Sequence, residues 1–203
     1  MVAGISSKIM KPHNCVLAFG IPTTEQDFHQ DKLHPNKDFV KNCCGGWHKY
    51  YYEIVSNIEA IEPQLQAVGA NIVHKLTLKD FGSLFREKQF DVVILFAHWK
   101  KEGGSEAEFI EFFDGLSNVF DVAKQIPQDF NGILDLSVCN PEKLALALRN
   151  QKVLIRYIPK KTTPYIWLYF YLVLFNLLNE RDLTYLNALE MVITEVLEQD
   201  RRR

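Results

Sequence analysis

The strongest restriction on this chain's architecture is a set of short segments that are apolar at consecutive positions. They are Cys15-Val16-Leu17-Ala18-Phe19 and Asp91-Val92-Val93-Ile94-Leu95-Phe96-Ala97, and a third core strand, Gly132-Ile133-Leu134-Asp135-Leu136-Ser137-Val138-Cys139, carries Asp135 and Ser137 among its apolar residues. Successive side chains of a strand point to opposite faces, so a segment without polar alternation has to be covered on both. That is the pattern of a parallel sheet between helical layers. Two weaker strand segments, 71–76 and 152–158, join the three. Helical spacing fills the gaps. Residues 47–68 carry Tyr51, Ile54, Val55, Ile58, Ile61 and Leu65, with Pro63 as an expected kink and Gly69 at the expected C-cap. Residues 77–88 read as a short amphipathic helix, and 142–149 as another with Pro141 in its first turn. The alternation predicts a single domain over 1–203. Its fold is an α/β three-layer sandwich, a mostly parallel sheet with helices on both faces and with its site beyond the carboxyl ends of the strands.

Composition narrows the partners. Of 203 residues, 47% are hydrophobic and 24% charged, which suits a packed core, and the net charge of −2 offers no positive field for nucleic acid. Residues 165–178 (YIWLYFYLVLFNLL) are shorter than the roughly 20 apolar residues of a membrane span and include Asn176, so they read as a buried helix. This is the first of two C-terminal helices over about 163–199. The opening residues carry no secretory pattern, which predicts a cytoplasmic protein whose Cys15, Cys43, Cys44 and Cys139 are thiols. Residues 23–46 are polar, with His29, His34 and Gly45-Gly46, and read as an irregular loop. Adjacent Cys43 and Cys44 lack a C-x-x-C spacing, so no metal is expected. No Gly-rich phosphate loop follows a strand, and no cofactor is expected. Asp114-Gly115, between the apolar residues of 109–120, is the dipeptide of a tight hairpin turn.

Two core strands end in residues able to perform acyl transfer: His98 closes one and Cys139 another. If the strands are neighbours and parallel, both side chains reach one edge of the sheet. An imidazole there accepts the thiol proton, the thiolate attacks a carbonyl, and the imidazolium protonates the leaving amine. The order apolar strand, His98, excursion with Asp114-Gly115, apolar strand, Cys139 resembles the CHAT family of caspase- and separase-like cysteine proteases. The resemblance continues in Tyr169-Phe170-Tyr171-Leu172-Val173-Leu174 and Tyr185-Leu186-Asn187-Ala188-Leu189. It covers residues 91–198 at the motif level and the first ninety only as alternating strands and helices.

The resemblance implies a caspase-like sandwich and a cysteine endopeptidase with a His98/Cys139 dyad. It also implies a protein or peptide substrate and an effector role in bacterial defence or regulated death. The pattern departs from the family at two points. Trp99 follows the histidine where the family has Gly, so its side chain has to point away from the cleft. Cys139-Asn140-Pro141 replaces a small residue and nearby Gly, and Pro141 has no N–H to give an oxyanion. Trp99, Asn140, Asp135 and Arg156 are the remaining candidates for the oxyanion hole or the substrate pocket. Asp135 shares the face of Cys139 by alternation, and reads equally as a pocket group or a buried hydrogen-bonded carboxylate. Arg156 has the same two readings. A non-catalytic domain of this fold, acting as a regulatory protein partner, is the alternative function.

Overall fold

The computed structural model describes residues 7–30, 46–86, 90–101, 108–138, 141–149, 151–157 and 164–201. Five strands form one all-parallel sheet: β1 (Cys15–Phe19), β2 (Asn71–Val73), β3 (Val92–Phe96), β7 (Ile133–Ser137) and β8 (Leu154–Tyr157), in the order β2-β1-β3-β7-β8. Three more strands, β4 (Trp99–Lys101), β5 (Glu108–Phe112) and β6 (Gly115–Asn118), make a separate antiparallel sheet inserted between β3 and β7.

The consecutive apolar residues divide by alternation, as sheet geometry requires. Cys15, Leu17, Phe19, Val92, Ile94, Phe96 and Ile133 face one core. Val16, Ala18, Val93, Leu95, Leu134 and Leu136 face the other. The first core is closed by three long helices. These are α2, which comprises Trp47–Tyr50, the π-helical turn Tyr51–Val55 and Ser56–Ala67, then α6 (Pro164–Glu180) and α7 (Tyr185–Arg201). The second core is closed by α3 (Leu78–Arg86), α4 (Val119–Lys124), α5 (Glu142–Ala147) and the antiparallel sheet. The result is a three-layer α/β sandwich.

Several boundaries differ from the sequence reading. The segment 23–46 contains a helix, α1 (Glu25–Gln30), because Phe28 is buried against Tyr50 and Trp47. Residues 31–45 lie outside the described residues. In α2 the irregularity is the π turn at Tyr51–Val55, whereas Pro63 sits within regular helix on an exposed face, where the carbonyl it deprives of a donor faces water. Strand β2 stops at Val73, and Lys75 adopts a left-handed φ of 53° that turns the chain out of the sheet. Lys100 and Lys101, read as loop, belong to β4. In the β5–β6 hairpin Phe112 pairs with Gly115, so Phe113 and Asp114 form the turn and Gly115, at φ 134°, opens β6. Helix α4, not expected from the sequence, follows directly and is capped by Asn118 Oδ1 accepting from the Phe120 N–H at 2.9 Å. Gly69 has the expected C-cap geometry at φ 90°. Among the described residues, no helix is long and apolar enough to cross a membrane.

Candidate active site

Strands β3 and β7 are hydrogen-bonded neighbours in parallel register, with Phe96 opposite Ser137. Both strands end at this pair and leave the sheet at the same edge. His98 lies two residues beyond Phe96, and Cys139 two beyond Ser137. Cys139 and Asn140 lie outside the described residues.

His98 is half-buried at this edge. Its carbonyl accepts from the Glu111 N–H at 2.9 Å, which ties the strand exit to β5. Its ring lies 6.3 Å from that of Tyr50, whose hydroxyl donates to the Pro22 carbonyl at 2.8 Å. Phe28 and Trp47 back Tyr50, with centroids 4.9 and 6.1 Å away. The histidine thus stands against an aromatic wall, and its Nε2 is buried with no hydrogen-bond partner among the described residues. A buried ring nitrogen without a partner is uncommon in a folded protein and leaves an acceptor or donor for an incoming group.

The small antiparallel sheet approaches this edge closely because residue 20 is glycine. A Cβ there would stand 2.7 Å from the Glu111 carbonyl oxygen, inside van der Waals contact. Trp99 turns to the other side of the sheet edge. Its ring packs on the second core and its Nε1 donates to Glu108 at 3.2 Å, while Lys143 pairs with the same carboxylate at 3.2 Å. The indole is therefore directed toward the α5 side, away from Tyr50 and His98.

Asp135 is fully buried beneath this edge on the α6 and α7 side. Its Oδ1 accepts from Arg156 Nη1 at 2.7 Å and from the Tyr171 hydroxyl at 2.8 Å, and its Oδ2 accepts from the Tyr185 hydroxyl at 2.7 Å. Tyr171 gives its one proton to Asp135, so at 3.2 Å it accepts from the Ser137 hydroxyl. Burial pushes the Asp135 carboxyl up from the usual carboxylate range, opposed by the charge of Arg156 and by the three donors. Burial likewise pushes the hydroxyls of Tyr171 and Tyr185 well above the ordinary tyrosine value, reinforced by the Asp135 charge. The Arg156 guanidinium lies over the rings of Trp167 and Phe170, 4.8 and 4.9 Å from their centroids. A carboxylate closed off in this way does not reach the surface. It anchors β7 to β8, α6 and α7, and through Tyr171 it holds Ser137 at the strand end.

The sequence reading singled out Asp135 and Arg156, and took Tyr171 and Tyr185 only as parts of the family-like motifs. A usable signal was present: a tyrosine on the buried side of an apolar helix needs a partner for its hydroxyl, and Asp135 was the acid inside a core strand. Of the segment weighed for zinc, His34, Cys43 and Cys44 lie outside the described residues, and His29 pairs with Glu25 at 3.7 Å. No protein-family model matches this chain, and no curated protein sequence matches it.

Proposed function

We propose that the chain is a cysteine endopeptidase of the caspase-like, CHAT-like kind, with Cys139 as nucleophile and His98 as general base and acid. The observation that carries this reading is the pairing of β3 with β7 in parallel register, Phe96 opposite Ser137. It supports delivery of His98 and Cys139 to one edge. The buried, unpartnered Nε2 of His98 supports a role for the imidazole in proton transfer. The thiol proton passes to His98 and the thiolate adds to the scissile carbonyl. The tetrahedral oxyanion then collapses, and the amine leaves with the proton from the imidazolium. Water, deprotonated by the same imidazole, hydrolyses the thioester. Backbone N–H groups at the two strand exits, those of Trp99 and Asn140 among them, are the candidates to receive the oxyanion, each such donor being worth about 3–4 kcal/mol. The orientation of the Trp99 indole is compatible with an open site.

The test is modification of the intact protein by an electrophilic peptide probe across pH 5–9, read by intact mass for wild type, Cys139→Ala and His98→Ala. Labelling confined to Cys139, and slowed by about 100-fold or more in His98→Ala, is the expected result. If Cys139 reacts no faster than Cys43 or Cys44, the endopeptidase reading fails and the domain is a non-catalytic partner protein.

A further inference from the structure

Two large apolar side chains stand in water on neighbouring helices and converge on one groove. Phe120 of α4 is 60% exposed and Leu146 of α5 is 59% exposed. Both helices satisfy the core without them, through Val119, Val122 and Ala123 on one and Leu144 on the other. Single exposed apolar residues are ordinary; two lining the same concavity are not. The groove has a volume of about 410 Å³ and is completed by Lys143, Ala147 and Arg149.

Its charge is one-sided. Among the described residues, no acidic one lines it. Arg149 makes no ion pair among the described residues, whereas Asp121, next to Phe120, is turned to Lys124 at 2.8 Å. Lys143 is held by Glu108 at 3.2 Å, so its stem contributes apolar surface and Arg149 supplies the free charge. Glu108 also accepts from Trp99, the residue after His98. One end of the groove is thereby connected by two contacts to the strand exit of the proposed site, and α5 begins three residues after Cys139.

We infer that the α4–α5 groove is a docking site for an acidic peptide segment that inserts an aliphatic or aromatic side chain between Phe120 and Leu146 and sets a carboxylate on Arg149. Resting on the endopeptidase reading, the groove serves as an exosite that brings such a segment of the substrate alongside the His98 edge. Apolar contact supplies most of the affinity, and the charge supplies selection for acidic over basic segments.

The experiment is fluorescence anisotropy of the intact protein with the fluorescein-labelled peptide GEDLFDEG, alongside versions carrying SS in place of LF and K in place of every acid. The acidic apolar peptide is expected to bind at least about tenfold more tightly than either control, and Phe120→Ser and Arg149→Glu are each expected to lose about tenfold. Both positions are on the surface, so unchanged melting and unchanged iodoacetamide labelling of Cys139 accompany the loss. Equal binding of all three peptides, or variants that bind like wild type, would overturn the inference. So would sedimentation showing a dimer that Phe120→Ser converts to monomer, because the face would then join two copies of this chain. Cys139→Ala is expected to bind the peptide as wild type does, so loss of the endopeptidase reading leaves this result standing, and absence of peptide binding leaves the labelling result standing.

Discussion

At the scale of single residues, the most consequential side chain is Asp135. It is an acid, fully buried and held by one cation and two phenols. Replacing it by Ala strands the Arg156 guanidinium beneath α6 without its anion. A loss of about 3–5 kcal/mol follows, because breaking a buried pair costs more than forming it gains. The measurement is a urea midpoint for Asp135→Ala beside the double variant Asp135→Ala, Arg156→Met, in which part of the loss is expected to return. Tyr185→Phe removes one donor and leaves the other two, and its expected cost is about 1–3 kcal/mol in the same assay. His98 stands in a different position, since its Nε2 lacks a partner among the described residues. His98→Ala is therefore expected to change stability little, within about 1 kcal/mol. A large fall in melting temperature would mean that the ring is structural.

At the scale of elements, the decisive fact is how the antiparallel sheet is fastened to the main one. Gly20 permits the Glu111 carbonyl to come close, and the Glu111 N–H closes on the His98 carbonyl. Gly20→Ala forces backbone to move, because the contact is with a carbonyl and not a flexible side-chain end. The expected result is a loss of about 1–3 kcal/mol together with slower Cys139 labelling, as β5 is displaced from the His98 strand exit. The hairpin is fastened at its tip as well. Asp114 Oδ1 accepts from the Leu78 N–H at 3.0 Å, so a turn residue from one sheet caps the first turn of α3 beside the local Thr77–Asp80 cap. Asp114→Ala is expected to cost about 1 kcal/mol in thermal unfolding. Residues 109–120 carried enough information to read a hairpin, yet the register shifted by one residue. Asp-Gly favours the turn centre locally, but Ile110 and Phe112 have to face the second core, and that requirement sets the pairing.

At the scale of the whole molecule, the buried ionisable groups set a common pH limit. Burial raises Cys15 well above the ordinary thiol value, and raises Tyr171 and Tyr185 well above the ordinary phenol value. The folded state therefore holds these protons more tightly than the unfolded chain does. Their contribution to stability is complete below the unfolded values of about 8.5 for Cys and 10 for Tyr, and is lost as pH rises from there toward the folded values. Denaturant midpoints between pH 8 and 11 are expected to fall with rising pH, and Cys15→Ala is expected to delay the onset. A midpoint that is flat across this range would contradict the burial of these three groups.

The sequence by itself determined the layered sheet. Consecutive apolar residues in Cys15–Phe19 and Val92–Phe96 can be buried only on both faces, and that condition is local and periodic. Helical spacing over 47–67, the Gly69 cap and the helical reading of the aromatic segment in Pro164–Glu180 were legible for the same reason, whereas its expected full burial was not met, since Ile166, Tyr169 and Val173 are exposed. What only the tertiary structure decided was which strands are neighbours and what each polar side chain meets. The Asp135 cluster joins residues 135, 156, 171 and 185, and the groove joins Phe120 to Leu146. Such partners are distant along the chain, and periodicity reports which face a residue occupies but not what lies across from it.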